Sequence, residues 1–124
     1  MTTPLKSIAD RLVEYCRTGQ EARGLDELYD PAVVSVEAMA MPGTGSAESV
    51  GLDALKGKHA WWAQAFEVHG ADVQGPFLHG DDQFAVVFSI DATERASGKR
   101  NAMKEVAVYT VANGRIRREA FFYG

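Results

Sequence analysis

The chain has 124 residues, which is enough for a single domain, residues 1–124, with one hydrophobic core. Hydrophobic residues make up 46% of the chain and the net charge is −4, so composition excludes a disordered protein and argues against a nucleic-acid partner. The single cysteine excludes a disulfide framework and a thiolate zinc site. No segment is apolar enough to span a membrane or to act as a signal peptide, so we expect a cytoplasmic protein with no membrane partner.

The spacing of apolar residues predicts three helices. The first begins near Leu5 and ends before Gly19, and a short second helix is predicted over residues 21–29. The third is predicted over residues 52–66, with an apolar face formed by Leu52, Leu55, His59, Trp62 and Phe66.

Between and after these helices the sequence predicts strands. Residues 41–46 are rich in glycine and proline and predict a loop, and Asn113-Gly114 is a strong signal for a tight hairpin. The predicted strands cover residues 33–39, 68–79, 84–93, 103–112 and 115–123. Helices followed by long antiparallel strands indicate an α+β fold in which the helices cover one face of the sheet. Because both faces of the last strands carry apolar residues, we expect the other face to bury itself in a homodimer.

The final hairpin also carries a family resemblance. Residues 109–116, Tyr-Thr-Val-Ala-Asn-Gly-Arg-Ile, followed by residues 118–123, Arg-Glu-Ala-Phe-Phe-Tyr, resemble the SnoaL-like branch of the nuclear transport factor two-like (ketosteroid isomerase-like) superfamily. Residues 51–57, Gly-Leu-Asp-Ala-Leu-Lys-Gly, resemble the start of the third helix of that family. The resemblance covers nearly the whole chain. It implies a cone-like bent mixed or antiparallel sheet with three N-terminal helices packed over its concave face, a pocket at the mouth of the cone, and dimers through the sheet.

The family contains polyketide cyclases, ketosteroid isomerases, epoxide hydrolases and transport factors, so the fold alone does not name a reaction. The resemblance implies an isomerase- or cyclase-type enzyme that uses carboxylate acid/base chemistry on an apolar cyclic or polyketide-like small molecule. Two alternatives stay open: a non-catalytic domain that binds a small hydrophobic ligand, and a dimeric interaction domain whose cone is filled by side chains. The sequence predicts neither a cofactor nor a metal, because it has no phosphate-binding glycine loop and no His-x-x-x-His spacing.

Two carboxylates of the last hairpin compete for the catalytic role. Regular pairing from the Asn113-Gly114 turn pairs Val108 with Glu119 and Val106 with Phe121, which puts Glu119 and Glu105 on opposite faces of the sheet. The resemblance places pocket residues three and five positions after the isoleucine of the turn, which are Glu119 and Phe121. Composition favours the face of Glu105. A bulge in the strands would reconcile the two interpretations, because one inserted residue reverses the alternation.

Asp91 and His69 are further catalytic candidates. Asp91 interrupts an apolar strand and would share the face of Glu119 if Ser97-Gly98 formed a tight turn. His69 lies where the sheet is expected to begin, close to the predicted pocket. A carboxylate in an apolar pocket has a raised pKa, which suits a general base, whereas the alternative for each candidate is an ordinary surface residue. Five aromatic residues are candidate pocket walls, with plain core packing as the alternative: Tyr15, Trp62, Tyr109, Phe121 and Tyr123.

Overall fold

The computed structural model of the protein describes residues 4–39 and 45–123. Its elements in chain order are α1 (Leu5–Arg17), α2 (Glu21–Leu28), β1 (Tyr29–Val36), β2 (Glu48–Val50), α3 (Leu52–Ala65), β3 (Phe66–His79), β4 (Gln83–Glu94), β5 (Arg100–Ala112) and β6 (Arg115–Phe122). Within these residues, none of the helices combines the length and the apolar character needed to cross a bilayer.

The strands form one six-stranded sheet in the order β2-β1-β6-β5-β4-β3. Strand β1 runs parallel to β6, and all other neighbours are antiparallel. The helices pack against one face of this open sheet, mainly through α1 on β3 and α3 on β1. The predicted α+β architecture, a mixed sheet with three helices over its concave face, is therefore confirmed.

The core lies between α1 and the middle of the sheet. Ile8, Leu12 and Val13 form one buried stripe of α1, as the helical spacing predicts. They belong to the same cluster as Phe84 of β4 and Ile116 of β6, which are fully buried. This packed region closes one end of the concave face.

The predicted elements agree with the structure except at β1 and β2. Strand β1 begins at Tyr29, four residues before the prediction, and includes Pro31. The proline is tolerated because it lies between Tyr29 and Val34, where β1 makes no regular pairs with β6. The three-residue strand β2 was not predicted from the sequence. Most of the predicted loop at 41–46 lies outside the described residues.

A β-bulge in β6 decides which residues face the helices. Val111 pairs with Ile116 across the Asn113-Gly114 turn, as predicted, but the next pair is Thr110 with Arg118. Arg117 is therefore an extra residue that has no partner on β5.

The bulge overturns the pairing predicted beyond the turn. Glu119 pairs with Tyr109 rather than with Val108, and Phe121 pairs with Ala107 rather than with Val106. The predicted separation of Glu119 and Glu105 onto opposite faces is therefore wrong. Both carboxylates lie on the face that the helices cover.

The bulge also separates Asp91 from Glu119. In β4 the inward side chains are Phe84, Val86 and Phe88, and Phe88 pairs with Glu105. Asp91 pairs with Ala102 and points to the outer face. The prediction that Asp91 shares the face of Glu119 is wrong, because the extra residue in β6 moved Glu119 to the other side.

We expect deletion of Arg117 to destabilise the protein by about 3 kcal/mol or more, because regular alternation would move the buried Glu119 away from its hydrogen-bond donors. The exposed side chain of Arg117 matters little, so Arg117→Ala should stay within about 0.5 kcal/mol of the wild type. Urea unfolding of both variants measures the difference. Equal stability of the deletion and the wild type would contradict the importance of the bulge.

Candidate active site

Glu119 is a deeply buried charged residue on the face that the helices cover, with 1% of its surface exposed. The hydroxyl group of Tyr29 donates a hydrogen bond of 2.7 Å to its Oε2, and the hydroxyl group of Ser35 donates one of 2.9 Å to its Oε1. The parallel pairing of β1 with β6 sets this geometry, since it places Ser35 directly beside Glu119. Both oxygens of the buried carboxyl group therefore have a donor.

Burial has the largest effect on the pKa of Glu119. It raises the pKa of Glu119, while the hydrogen bond from Tyr29 and the charge of Lys58 oppose the increase. Burial, and next the charge of Glu119, also hold the pKa of Tyr29 and of Tyr109 well above the usual value. Both phenols are therefore neutral at the closed end of the concave face.

Lys58 of α3 lies beside this carboxyl group, and its side chain is 10% exposed. Its Nζ donates a hydrogen bond of 2.6 Å to Oγ of Ser35 and is 3.3 Å from Oε1 of Glu37. The ammonium group also lies 4.8 Å from the centre of the Phe121 ring. A continuous polar chain thus runs from Glu37 through Lys58 and Ser35 to Glu119.

Glu37 follows β1 directly and is largely buried. Its Oε1 is paired with Lys58, whereas its Oε2 is buried and has no hydrogen-bond partner among the described residues. A buried acceptor without a donor is costly, so Glu37 adds negative charge to the site without full compensation.

Glu105 is half-buried and lies on the same face as Glu119. Among the described residues it accepts no hydrogen bond and makes no ion pair. Burial, and next the charge of Glu37, raise the pKa of Glu105 to about 7, while the charge of Lys58 opposes the increase. A carboxyl group with this pKa can take up and release a proton near neutral pH, as a general base requires.

Burial decreases across the concave face from its closed end to its open end. Tyr109 and Ala107 of β5 are buried, whereas Glu105 and Met103, further along the same face, are partly exposed. The other half-buried side chains on this part of the face are Phe88, Ile90 and Phe121 from the sheet and Tyr123 after β6. His59 of α3 is also half-buried and lies close enough to Lys58 and Glu37 to interact with their charges. Glu105 therefore lies among aromatic and aliphatic side chains that an apolar ligand could contact.

Two further polar groups border the site. Burial, and next the charge of Lys58, lower the pKa of His59, so its imidazole is neutral at neutral pH. Burial raises the pKa of Cys16 to about 12, with Glu21 and Glu119 contributing. The cysteine is therefore a protonated thiol that packs against the core and not an activated nucleophile.

Asp91 and His69 lie away from this cluster. Asp91 accepts two hydrogen bonds, of 3.0 and 2.8 Å, from the guanidinium group of Arg100, which lowers its pKa. His69 is exposed in β3, with its Nε2 2.7 Å from Oγ1 of Thr93. A shallow depression of about 270 Å³ beside Asp91 lies on the sheet away from Glu119.

The five aromatic candidates have different surroundings. Tyr109 stacks on Phe84 at a ring distance of 4.8 Å, in the buried end of the site. Phe121 and Tyr123 lie beside Lys58 and Glu37, respectively. The other two candidates lie apart from the carboxylates: Trp62 stacks on Phe66, and Tyr15 lies between α1 and α2 with its hydroxyl group donating to Glu27.

Four residues of the cluster were not identified from the sequence: Tyr29, Ser35, Glu37 and Lys58. The alternation of Val33, Ser35 and Glu37 was the available signal for the β1 residues. It was hidden because Val34 and Val36 give the opposite face an equally apolar pattern. Among residues 4–39 and 45–123, no three His, Cys, Asp or Glu side chains are arranged to hold a metal ion.

We expect Glu105 to lower the stability of the protein as pH rises from about 4.5 to 7. The folded protein holds this proton more tightly than the unfolded chain does, so the folded state loses its advantage as the group ionises. The free energy of unfolding of Glu105→Gln, minus that of the wild type, should increase by about 3 kcal/mol over this interval. Chemical denaturation at several pH values measures it, and a constant difference would contradict the raised pKa.

A family model for the SnoaL-like domain matches residues 1–123. Comparison with curated proteins found no match. A solved structure from Mesorhizobium loti, described as a "putative SnoaL-like polyketide cyclase (carbohydrate phosphatase)", is 40% identical, with 98% of this chain and 100% of that chain covered and a TM-score of 0.90.

More distant structures share the fold. One from Jannaschia sp. CCS1, described as a "putative SnoaL-like polyketide cyclase", is 15% identical, with 90% of this chain and 79% of that chain covered and a TM-score of 0.70. One from Bacillus subtilis, described as a "putative isomerase", is 16% identical, with 97% and 83% covered and a TM-score of 0.67. The match over nearly the whole sequence and the 40% identity to the Mesorhizobium loti protein show that the chain belongs to the SnoaL-like domain family.

Proposed function

We propose that the protein is a small acid/base enzyme that moves a proton at a carbon next to a carbonyl group of an apolar cyclic ligand. The observation that supports this most directly is the half-buried Glu105, whose pKa is raised to about 7 and whose carboxyl group has no partner among the described residues. Such a group is a competent base near neutral pH. The names of the relatives, polyketide cyclase and isomerase, denote reactions that rearrange one carbon skeleton and are compatible with proton transfer.

The proposed mechanism has two proton transfers. The carboxylate of Glu105 removes a proton from the carbon beside the carbonyl group. The electron pair of the broken C–H bond forms the C=C bond of an enolate, while the π pair of the carbonyl group moves to its oxygen. The neutral imidazole of His59 is the proposed hydrogen-bond donor to that oxygen. Protonated Glu105 then returns the proton to the same or another carbon. Glu119 stays in place as the buried anchor of Tyr29 and Ser35.

The charge of the site argues against a phosphate ester as substrate, although the Mesorhizobium loti protein also carries the description carbohydrate phosphatase. Glu37, Glu105 and Glu119 share Lys58 as their one neighbouring cation among the described residues. A phosphate group would be repelled by the carboxylates and would find no arginine fork at this site.

Exchange of the acidic C–H protons of 2-tetralone, an apolar bicyclic ketone, tests the proposal. We expect the protein to accelerate exchange with D₂O, followed by ¹H NMR, with a rate that rises through about pH 7 as Glu105 ionises. Glu105→Gln should lose about 100-fold or more of this rate. The matched control Asp91→Asn removes a carboxylate from the outer face and should retain it.

Equal rates for Glu105→Gln and the wild type would overturn the role of Glu105. Binding of 2-tetralone without accelerated exchange would support the alternative of a non-catalytic domain for a small hydrophobic ligand. The cytoplasmic location expected from the sequence stays a prediction.

We also propose that the protein is a homodimer through the outer face of the sheet. Val87, Val106 and Phe122 lie side by side on adjacent strands of this face. Val106 is 37% exposed and Phe122 58% exposed, and the helices do not cover them. A second copy of the chain is the proposed partner, because a twofold dimer buries the same apolar patch on both chains at once.

Light scattering at micromolar concentration should give a mass twice the 13.5 kDa of one chain. Phe122→Glu should give 13.5 kDa, because it places a charge within the apolar patch. Trp61→Glu alters an exposed aromatic residue of α3 and should leave the dimer intact. A wild-type mass of 13.5 kDa would exclude the proposed dimer.

A further inference from the structure

In the part of the chain that the structure describes, the ammonium group of Lys58 has three acceptors around it, as many as it has N–H groups. Its two oxygen partners are Oγ of Ser35 at 2.6 Å and Oε1 of Glu37 at 3.3 Å, and the face of Phe121 lies on a further side. An ammonium group has three N–H donors, so these contacts leave none directed at a ligand. Lys58 therefore holds neighbouring side chains in position and is not directed at a ligand.

The three carboxylates around Lys58 are not equivalent. Glu119 receives two hydroxyl donors, one of which, Ser35, is itself held by Lys58. Glu37 is paired with Lys58 directly. Glu105 receives nothing from the described part of the chain, although it lies close enough to all of these charges to interact with them.

We propose that Lys58 is a positioning residue that assigns proton exchange to Glu105, because it binds Glu37 and the Ser35–Glu119 pair and leaves Glu105, of these three carboxylates, without a partner among the described residues. The inference rests on the acid/base function proposed above. It goes beyond that function because it explains why one carboxylate of three is available and names the residue that controls its titration.

The charges around Glu105 predict opposite effects for the two members of one ion pair. Lys58 lowers the pKa of Glu105, whereas Glu37 raises it. The titratable groups that face Glu105 or its immediate neighbours come from several elements: Lys58 and His59 of α3, Glu37 after β1, Tyr109 of β5, Glu119 of β6, and Tyr123 after it. Both tyrosines have raised pKa values and stay neutral, so they do not reverse these signs.

Three variants separate positioning by charge from simple structural support. Lys58→Met should move the Glu105 titration up by about 1 pH unit, and Glu37→Gln should move it down by a similar amount. Lys58→Arg keeps the positive charge and should keep the titration near that of the wild type. The readouts are the ¹³C NMR titration of the Glu105 carboxyl group and the pH profile of 2-tetralone exchange.

The two variants Lys58→Met and Glu37→Gln break the same ion pair. A purely structural role of Lys58 would therefore shift the Glu105 titration in the same direction in both variants. Shifts of the same sign, or no shift in either, would overturn the proposal. If Lys58→Met does not fold, the downward shift in Glu37→Gln and the retained titration in Lys58→Arg decide the question. If the wild type does not exchange 2-tetralone, the proposed function fails, while the NMR titration still tests Lys58 separately.

Discussion

The buried carboxyl group of Glu119 constrains the rest of the structure. A carboxyl group removed from water needs a donor for each oxygen, and here both donors, Tyr29 and Ser35, come from β1. These two hydrogen bonds form only because β1 pairs in parallel with β6 and because Arg117 is an extra residue in β6. Without that extra residue Glu119 would face outward. One polar group thus connects the topology of the sheet to the arrangement of the site.

Two carboxylates on one face have different properties because they lie at different depths. Glu119 lies at the closed end, with two hydroxyl donors and almost no exposure. Glu105 lies further along the same face, where burial is enough to raise its pKa but no donor from residues 4–39 or 45–123 stabilises its charge. The decrease in burial along the sheet therefore separates an anchor from a titrating group without any difference in residue type.

The sequence was most informative where local chemistry determines structure. The Asn113-Gly114 turn, the stripe of α1 and the alternation in β4 are local patterns, and each was correctly interpreted. The bulge was harder to locate, because Arg117 is an ordinary exposed residue with no glycine or proline to mark it. A bulge reconciles the two interpretations of the last hairpin, but no residue in the sequence indicates that it lies at Arg117.

The remaining site residues were missed for similar reasons. Strand β1 has β-branched residues at Val33, Val34 and Val36, so its pattern does not show which face is buried. Lys58 lies at the border of the apolar stripe of α3, where a lysine is usually solvated. Its burial depends on Glu37 and Ser35, which a single sequence does not show to be close in space.

The pairing of β1 with β6 also has a consequence for how the chain folds. The hydrogen bonds from Ser35 and Tyr29 to Glu119 close loops of 84 and 90 residues, and every other described strand lies within that span. Contacts so distant along the chain form late, because the entropy of loop closure must be overcome before they contribute. During synthesis, the edge of β1 that pairs with β6 therefore stays unpaired until β6 has been made, and the cluster around Glu119 is assembled only when that pairing forms.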